Sequence, residues 1–177
     1  MNVPNPYAPP KTPVADPVDA PSGPNVLATR SRRATAATVD SLIALCWTIP
    51  LWMHFKIFDY VIEFQDIPTR VALEVAALGF LLFVLFNAHF LRQNGQTIGK
   101  KLVGIRIATL DGGIPEFWRI VALRYGPIQL AALLPYIGIF ADTFDVLFIY
   151  RGDRRCIHDL IAGTQVLRMT RPGPRQP

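Results

Sequence analysis

Residues 71–91 have the sequence VALEVAALGFLLFVLFNAHFL, and no Asp, Glu, Lys or Arg follows Glu74 within this stretch. A helix needs about 20 mainly apolar residues to cross the hydrocarbon core of a bilayer. Because this stretch has that length and composition, it predicts a membrane-spanning helix. The prediction decides the fold class, since a soluble protein mixes apolar and polar residues at a period of 3.6 or 2.

Two other apolar blocks lie on either side of this stretch. The first, 34–55, follows three arginines and carries Asp40 near its start. It predicts a second span. The other block, 117–150, is too long for one span and contains Pro135 and Gly138, which disfavour a continuous helix. We therefore expect 117–150 to fold as a helical hairpin.

The basic residues predict how the chain crosses the membrane. Lys and Arg number four before residue 34, two in 54–70, six in 92–124 and six after residue 150. Cytoplasmic loops of membrane proteins carry an excess of Lys and Arg. Four crossings place all three basic regions on the cytoplasmic side, whereas three crossings place the C-terminal basic region on the opposite side. A re-entrant hairpin in 117–150 also keeps all three basic regions on the cytoplasmic side. The sequence thus predicts an all-α membrane protein, a bundle of four transmembrane helices in the cytoplasmic (inner) membrane with both termini cytoplasmic.

The polar segments predict a small β-structure and two tails. LVGIRIATLDGG (102–113) alternates apolar and other residues up to an Asp-Gly turn signal, which is typical of a strand. We expect it to pair with a second strand at 164–168 as a cytoplasmic β-ribbon. Residues 1–29 hold eight of the 16 prolines and predict a disordered tail. A membrane domain over 30–170 and a flexible tail over 171–177 complete the chain.

Several functional classes find no support in the sequence. Two cysteines are too few for a disulfide framework, and three widely spaced histidines give no zinc pattern. The string GQTIGK at 95–100 lacks the spacing of a phosphate-binding loop. The net charge of +5 comes from basic residues that flank apolar blocks, so the expected partner is the bilayer surface rather than nucleic acid. We expect no enzyme activity, no cofactor and no metal.

Asp40 is the most informative charge, because a charged side chain inside a span costs about 2.5–3.5 kcal/mol on insertion scales. Arg33 lies two helical turns earlier on the same face, and small residues line the face between them. Small residues allow a second helix to approach closely, so we expect Asp40 to face a helix interface. Three roles stay open for it: fixing helix packing, binding a cation or relaying a proton, and contacting a partner.

Asp142 and Asp145 form a second group of candidate residues. Their spacing places both on one side of a helix, and like charges held close together bind a proton more tightly. They are candidate proton or cation ligands. The alternative is that they pair with Arg119 or Arg124 at the start of the same block.

Three strings of the sequence resemble a known family. They are the segment from Arg33 to Asp40, GQTIGKKLVGIRIATLDGG (95–113) and RRCIHDLIAGTQV (154–166). Together they resemble the RDD family of bacterial membrane proteins, which is named for an arginine and two aspartates. The resemblance assigns the arginine to Arg33 and the first aspartate to Asp40. It assigns the second aspartate to Asp159, with Asp145 as the alternative.

The resemblance also implies a function and a set of structural residues. Family members are multi-helix membrane proteins for which transport is suggested, with cation–proton exchange proposed for some. The structural residues in the shared strings are Gly95, Thr97, Gly99, Lys100, Gly104, His158, Gly163 and Thr164. A membrane enzyme would have to rest on the pair His158 and Asp159, but adjacent residues of a helix do not face each other. We expect this pair instead to anchor the C-terminal strand through hydrogen bonds to 92–113.

Two functional hypotheses follow. The first is a transporter of a small solute or cation, of the sodium–proton exchange type. It would act as an oligomer, because four helices leave little room for a pathway in one chain. Asp40, Asp142 and Asp145 would be its working carboxylates. The alternative is a non-transporting membrane assembly or accessory module, whose basic loop faces a partner or anionic headgroups. Its expected partners are the bilayer and either further copies of the chain or another membrane protein.

Overall fold

The computed structural model describes residues 26–131, 133 and 137–169. These residues form a mostly helical fold with one two-stranded sheet. In chain order the elements are α1 (Arg30–His54), α2 (Ile57–Ile62), α3 (Thr69–Asn94), α4 (Ile98–Val103), β1 (Ile105–Thr109), a π-helix (Arg119–Tyr125), α5 (Gly126–Ala131), α6 (Ile137–Leu147), a 3-10 turn (Phe148–Tyr150), α7 (Ile157–Ile161) and β2 (Thr164–Arg168).

Two helices of the described chain are long and apolar enough to cross a membrane, α1 with 25 residues and α3 with 26. Their most apolar 18-residue windows have mean hydropathies of 1.4 and 2.2, and only 6% of each window is buried inside the chain. Apolar surface that lies so largely outside the fold needs lipid or another protein around it. The helices predicted over 34–55 and 71–91 are therefore confirmed, and they contact each other through the stacked rings of Trp47 and Phe86.

The third apolar block contains separate short helices that contact one another, and residues 132 and 134–136 between them lie outside the described residues. α5 contacts α6, and the π-helix and α6 both contact α7. α6 has 11 residues, which extend about 16 Å against a hydrocarbon core of about 30 Å. Within the described residues neither part of the block reaches the length of a span, so the predicted count of four transmembrane helices is not confirmed. Gly138 lies in the first turn of α6, while Pro135 lies outside the described residues.

β1 and β2 form the antiparallel ribbon that the sequence predicts. Residues 26–28 extend it on the other side of β2, where the Ala28 amide donates to the Val166 carbonyl over 2.9 Å. The end of the predicted N-terminal tail thus contacts the folded unit, because the edge of a strand offers unpaired backbone groups to a segment that reaches it. The rest of both predicted tails, 1–25 and 170–177, lies outside the described residues.

The buried core lies where the ribbon packs across the ends of α1 and α3. Side chains two apart on a strand point to the same face, and Ile105 and Ile107 of β1 use that face. Ile105 clusters with Ala36 of α1, and Ile107 clusters with Leu91 of α3. The start of α1 and the end of α3 are thereby held beside the ribbon, and the polar side chains of the candidate site lie at this junction.

Candidate functional site

Asp159 on α7 is an ionised group whose side chain is fully buried. Arg33 of α1 donates to its Oδ2 over 2.6 Å, and Arg124 of the π-helix donates to its Oδ1. Arg124 also donates to the Thr164 hydroxyl of β2 over 2.7 Å, and this hydroxyl donates to Oδ1 of Asp159 over 3.2 Å. We call these four residues the Asp159 cluster. It joins four separate elements of the fold.

The string IHDLIAGT (157–164) builds this arrangement locally. Asp159 lies in the first turn of α7, where its carboxylate accepts the backbone N–H of Cys156 over 3.2 Å, as acidic residues near helix starts commonly do. Gly163 follows the helix with φ 60°, a left-handed conformation that glycine adopts without strain. A Cβ at Gly163 would lie 2.4 Å from Nη2 of Arg119. This tight turn places Thr164 beside Asp159.

Two guanidinium groups determine the charge of Asp159. Burial by itself raises the pKa of a carboxyl group. The charge of Arg124, together with that of Arg33, more than offsets burial and holds the pKa of Asp159 well below its usual range. The carboxylate therefore stays ionised throughout the physiological pH range. It is a fixed anion between two cations rather than a group that exchanges protons.

Asp145 of α6 binds His158, the residue before Asp159. Its Oδ1 accepts the His158 backbone N–H over 2.9 Å, and its Oδ2 lies 2.5 Å from Nδ1 of the ring. Burial lowers the pKa of His158, and the nearby charge of Arg124 acts in the same direction. The imidazole is therefore neutral at pH 7, and in the tautomer assigned from this contact Nδ1 donates to the carboxylate.

Asp145, Cys156 and His158 bring three potential metal-ligand atoms within 4.8 Å of one another, although the sequence spacing predicts no metal site. The surroundings oppose a cation. Arg33 donates to Sγ of Cys156 over 3.3 Å, and burial raises the pKa of this thiol to about 11. Because metals bind the thiolate rather than the thiol, this trio is a poor metal site.

Asp40 of α1 binds the start of α4. Its Oδ1 accepts the backbone N–H of Gly99 over 2.7 Å, and its Oδ2 accepts the Thr97 hydroxyl over 2.5 Å. Nζ of Lys100 lies 3.7 Å from Oδ2. We call these four residues the Asp40 cluster. The carboxylate satisfies an N–H group that has no partner within the helix, as the first N–H groups of a helix require.

Close approach of backbones explains the glycines around the GQTIGK string. A Cβ at Gly99 would lie 2.3 Å from the Ala36 carbonyl oxygen, so the contact between α4 and α1 depends on glycine here. Gly95 ends α3 with φ 63°, and a Cβ there would lie 2.5 Å from the Ile107 carbonyl oxygen. Gly104 ends α4 with φ 71° and leads directly into β1. The string is a tight connection between α3, α4 and β1.

Two buried polar side chains outside the predicted site hold the same connection. Asn87 accepts the Ile98 N–H over 3.0 Å. Gln96 donates to the Ile105 carbonyl over 2.7 Å. The sequence signal for Asn87 is its polar side chain within an otherwise apolar span, because a polar group in such a span needs an internal partner.

The predicted residues come together in two groups rather than one. Arg33 and Asp40 share α1, but Arg33 binds α7 and Asp40 binds α4. Asp40 faces a helix interface, as predicted. Its contacts are a backbone amide, a hydroxyl and the ammonium group of Lys100, and the packing of Gly99 against Ala36 brings that interface close.

Of the two alternatives for Asp145, pairing with Arg119 or Arg124 is not what the structure shows. Asp145 binds His158, while Arg124 binds Asp159. A signal for Arg124 is present in the sequence, since a lone arginine among apolar residues needs an anionic partner. Its partner lies 35 residues away, at a distance that no local pattern specifies.

The expected hydrogen bonds from His158 and Asp159 to 92–113 are not found among the described residues. The described side-chain contacts of His158 and Asp159 run to α1, the π-helix, α6 and β2. β2 is held instead by its ladder to β1. The side chain of Asp142 lies outside the described residues, so its grouping with Asp145 stays a prediction.

Residues 27–163, which contain the Asp40 cluster and all of the Asp159 cluster except Thr164, match the RDD family, a family of bacterial membrane proteins. The chain belongs to the RDD family. The resemblance predicted from the three strings is therefore confirmed. The unburied apolar windows of α1 and α3 agree with a membrane protein of this family.

Relatives of this RDD protein include two uncharacterised proteins. It is 28% identical over 92 residues to an uncharacterised protein of Haemophilus influenzae, an alignment that covers 51% of this chain and 56% of that one. It is 33% identical over 105 residues to the uncharacterised protein YckC of Bacillus subtilis, covering 56% of this chain and 63% of that one. The chain thus spans less than two thirds of either relative. No solved structure matches it.

Proposed function

We propose that this RDD protein is a non-transporting membrane module, which holds a fixed polar platform at the membrane surface and assembles with a membrane partner. The platform consists of the Asp159 cluster, the Asp40 cluster and the ribbon. The observation that carries the proposal is the internal pairing of the residues assigned to the family motif. Arg33 and Asp159 bind each other, and Asp40 binds α4. These contacts join elements of one chain, as a structural platform requires.

The position of Asp40 along α1 supports a structural role. One side of the turns before Asp40 is covered by α4 and the ribbon, since Ala36 is buried against Ile105 and Arg32 donates to the Val103 carbonyl over 3.0 Å. Asp40 therefore belongs to the polar end of α1, at the edge of the apolar span. A carboxylate at this edge costs less to insert than one at the centre, and helix packing is a sufficient reason for it.

The apolar surfaces of α1 and α3 support assembly. Leu42, Leu45, Leu81 and Leu85 are between 45% and 62% exposed. α5 and α6 are too short to cover the full length of the two spans. Packing against helices of a second chain gives such surfaces van der Waals contacts that lipid supplies less well.

The proposal includes an orientation. Basic residues are concentrated before residue 34, in 92–124 and after residue 150, and both clusters lie among them. By the preference of Lys and Arg for cytoplasmic loops, the platform and both termini lie on the cytoplasmic side of the inner membrane. α5 and α6 then enter the bilayer as the hairpin of a four-helix bundle.

Reconstitution tests the absence of transport. The full-length protein, Asp40→Asn and the control Asp59→Asn are placed in liposomes, and sodium-dependent proton exchange is followed with a pH-sensitive dye. Asp59 is exposed on α2, so the control removes the same charge away from the platform. We expect all three samples to match protein-free liposomes. Exchange in the wild type that is lost in Asp40→Asn and kept in Asp59→Asn contradicts the proposal.

Cross-linking in native membranes tests assembly. Cys46 is exposed on α1, whereas Cys156 is buried, so a membrane-permeant bismaleimide reaches a neighbouring chain through Cys46. We expect a cross-linked species of one defined mass, either two copies or one copy with another membrane protein, which is absent in Cys46→Ser. A wild-type protein that stays at monomer mass over a series of linker lengths contradicts assembly.

One observation favours a proton-coupled exchanger, with His158 as its proton site, as a second candidate. Asp145 and His158 line a cavity of about 400 Å³ between α1 and α6. Because its pKa lies below the usual value, His158 takes up a proton only when the pH falls below neutrality. Exchange that persists in Asp40→Asn and disappears in His158→Gln would assign the activity to this pair.

A further inference from the structure

A cavity of about 400 Å³ lies between the first turns of α1 and the end of α6 with its 3-10 turn. Part of its wall is apolar. Ala34 and Ala37 of α1 line one side, and Val146 and Ile149 line the other. Val146 is 58% exposed, so the apolar wall continues onto the outer surface of α6. We call this space the α1–α6 cavity.

The rest of the wall is basic. The cationic side chains that line the α1–α6 cavity are Arg30, Arg33, Lys100 and Arg124. Asp145 is the carboxylate among the described lining residues, and it is bound to His158. Four cations and one carboxylate give this space a positive lining, which favours an anion as occupant.

Pairing with carboxylates behind the wall reduces this charge without cancelling it. Arg33 and Arg124 share Asp159, and Lys100 is 3.7 Å from Asp40. Two guanidinium groups on one carboxylate leave one positive charge in the Asp159 cluster. The charge of Asp145 offsets that one.

Arg30 is the remaining cation of the lining. Its Nε and Nη2 donate to the carbonyl groups of Ile149 and Tyr150 over 3.1 and 3.4 Å, and its guanidinium lies 5.3 Å from the Tyr150 ring centroid. It pairs with no carboxylate of the described residues. These contacts hold a full positive charge at the edge of the α1–α6 cavity.

A second observation points to an acceptor inside the cavity. Arg124 is 2% exposed, and its Nε is buried with no hydrogen-bond partner among the described residues. Buried N–H groups in native proteins nearly always have a partner. Arg124 is also one of the residues that line the α1–α6 cavity, and its unsatisfied N–H is a reason to expect an acceptor beside this guanidinium group.

The start of α1 adds to this preference. α1 begins at Arg30 and has no acidic residue in its first turn. The free N–H groups and the dipole of a 25-residue helix favour negative charge at this end. Ser31 in this turn also lines the cavity.

We propose that the α1–α6 cavity binds the phosphate of an anionic phospholipid. Arg30 and Arg124 donate to the phosphate oxygens, and an acyl chain lies along Ala37 and Ile149. A phospholipid suits both parts of the wall, whereas a free anion leaves the apolar part exposed to water. Basic pockets between helices at a membrane surface commonly bind lipid head groups. The proposal goes beyond the proposed function and requires only the membrane location of the chain.

Native mass spectrometry of the full-length protein in a neutral detergent tests this site. Phosphatidylglycerol, phosphatidylcholine and inorganic phosphate are titrated separately. We expect one saturable phosphatidylglycerol per chain and no comparable binding of phosphatidylcholine. Arg30→Gln should weaken phosphatidylglycerol binding about fivefold, the effect expected for one basic residue at a membrane surface.

Two control variants separate the site from general surface charge and from folding. Arg92 stacks on Phe117 at the end of α3 and does not line the cavity, so Arg92→Gln should bind phosphatidylglycerol as the wild type does. Ala37→Leu fills the apolar wall and should weaken binding, whereas Thr35→Leu, on an exposed position of the same helix, should not.

Three results would overturn the proposal. They are equal affinities for phosphatidylglycerol and phosphatidylcholine, an equal loss in Arg92→Gln and Arg30→Gln, and inorganic phosphate that binds as tightly as the lipid. The last result would assign the cavity to a free anion. Transport activity in the liposome assay would contradict the proposed function but would not affect this test, because lipid binding is measured without an ion gradient or a partner chain.

Discussion

The Asp159 and Asp40 clusters hold neighbouring parts of one junction by different chemistry. Asp159 is fully buried and is bound by two guanidinium groups. Asp40 has a side chain that is 19% exposed, and it is bound by a backbone amide, a hydroxyl and an ammonium group 3.7 Å away. In the first cluster the negative charge is essential, because two buried cations depend on it. In the second, hydrogen-bond geometry and close packing carry more of the stability.

Asp159→Asn should produce the largest loss, because it leaves Arg33 and Arg124 without their shared anion. Removing one partner of a buried ion pair costs about 3–5 kcal/mol. We expect a strongly lowered unfolding temperature in detergent, or failure to obtain a monodisperse protein, as measured by size-exclusion chromatography after heating.

Asp153→Asn is the matched control for that variant. Asp153 forms an ion pair with Arg151 over 3.3 Å, in which the two side chains are 38% and 51% exposed. Exposed pairs contribute little to stability, so we expect no measurable change. Asp159→Asn with wild-type stability would contradict the distinction between the two clusters.

Gly99→Ala tests whether packing dominates in the Asp40 cluster. Its Cβ would lie 2.3 Å from the Ala36 carbonyl oxygen and 2.8 Å from the Asp40 carboxyl group. Forcing α4 away from α1 should cost about 1–3 kcal/mol, read as a lower unfolding temperature. Gly79→Ala is the control, because a Cβ at Gly79 meets nothing within 4 Å. We expect that variant to be as stable as the wild type or slightly more stable.

Thr97→Val should have a smaller effect on the same cluster. Thr97 caps α4 by accepting the Lys100 N–H over 3.4 Å, and its hydroxyl donates to Asp40. Loss of a helix cap costs about 0.5–2 kcal/mol. Thr97→Ser retains the hydroxyl and should keep most of the stability in the same unfolding assay. Equal losses in both variants would assign the effect to the methyl group instead of to the hydroxyl.

A pH series should show the smallest effect and sharpen the comparison between His158 and Asp159. The pKa of His158 is lowered in the fold, so below about pH 6.5 the unfolded chain binds a proton that the folded chain does not yet bind. This contribution to stability is complete above that pH and falls as the pH falls towards the folded pKa. For Asp159, whose pKa is also lowered, the loss begins only below about pH 4.

Unfolding temperatures between pH 7.5 and 5.5 measure the histidine part. We expect stability to decline with falling pH in the wild type and to decline less in His158→Gln. His89→Gln serves as the control, because His89 is exposed on α3. The same slope in wild type and His158→Gln would show that another group causes the decline.

The sequence predicts those parts of the fold that depend on local composition. The apolar lengths of 34–55 and 71–91 suffice to place α1 and α3, and alternation with an Asp-Gly turn suffices for β1. The motif strings suffice for the family. The number of membrane crossings could not be predicted from apolar length, because the block 117–150 does not form helices as long as its apolar length suggests. α6 has only 11 residues.

The partners of the charged residues depend on contacts across the chain. Arg33 and Asp159 are separated by 126 positions, and Asp40 and Thr97 by 57. A short stretch of sequence shows which residues share a face of a helix, but not which distant segments contact that face. Helical spacing therefore groups Arg33 with Asp40. The structure separates them, since α7 binds Arg33 whereas α4 binds Asp40, two turns further along α1.

By itself the sequence determined that this RDD protein carries two apolar helices long enough to cross a membrane and a short ribbon, because apolar length and strand alternation are local properties. Only the tertiary structure decided that Asp159 pairs with two arginines, that Asp40 binds the start of α4 and that Asp145 binds His158. The physical reason is that a buried charge accepts whichever opposite charge or donor the packing brings within reach, and packing is a property of the whole chain.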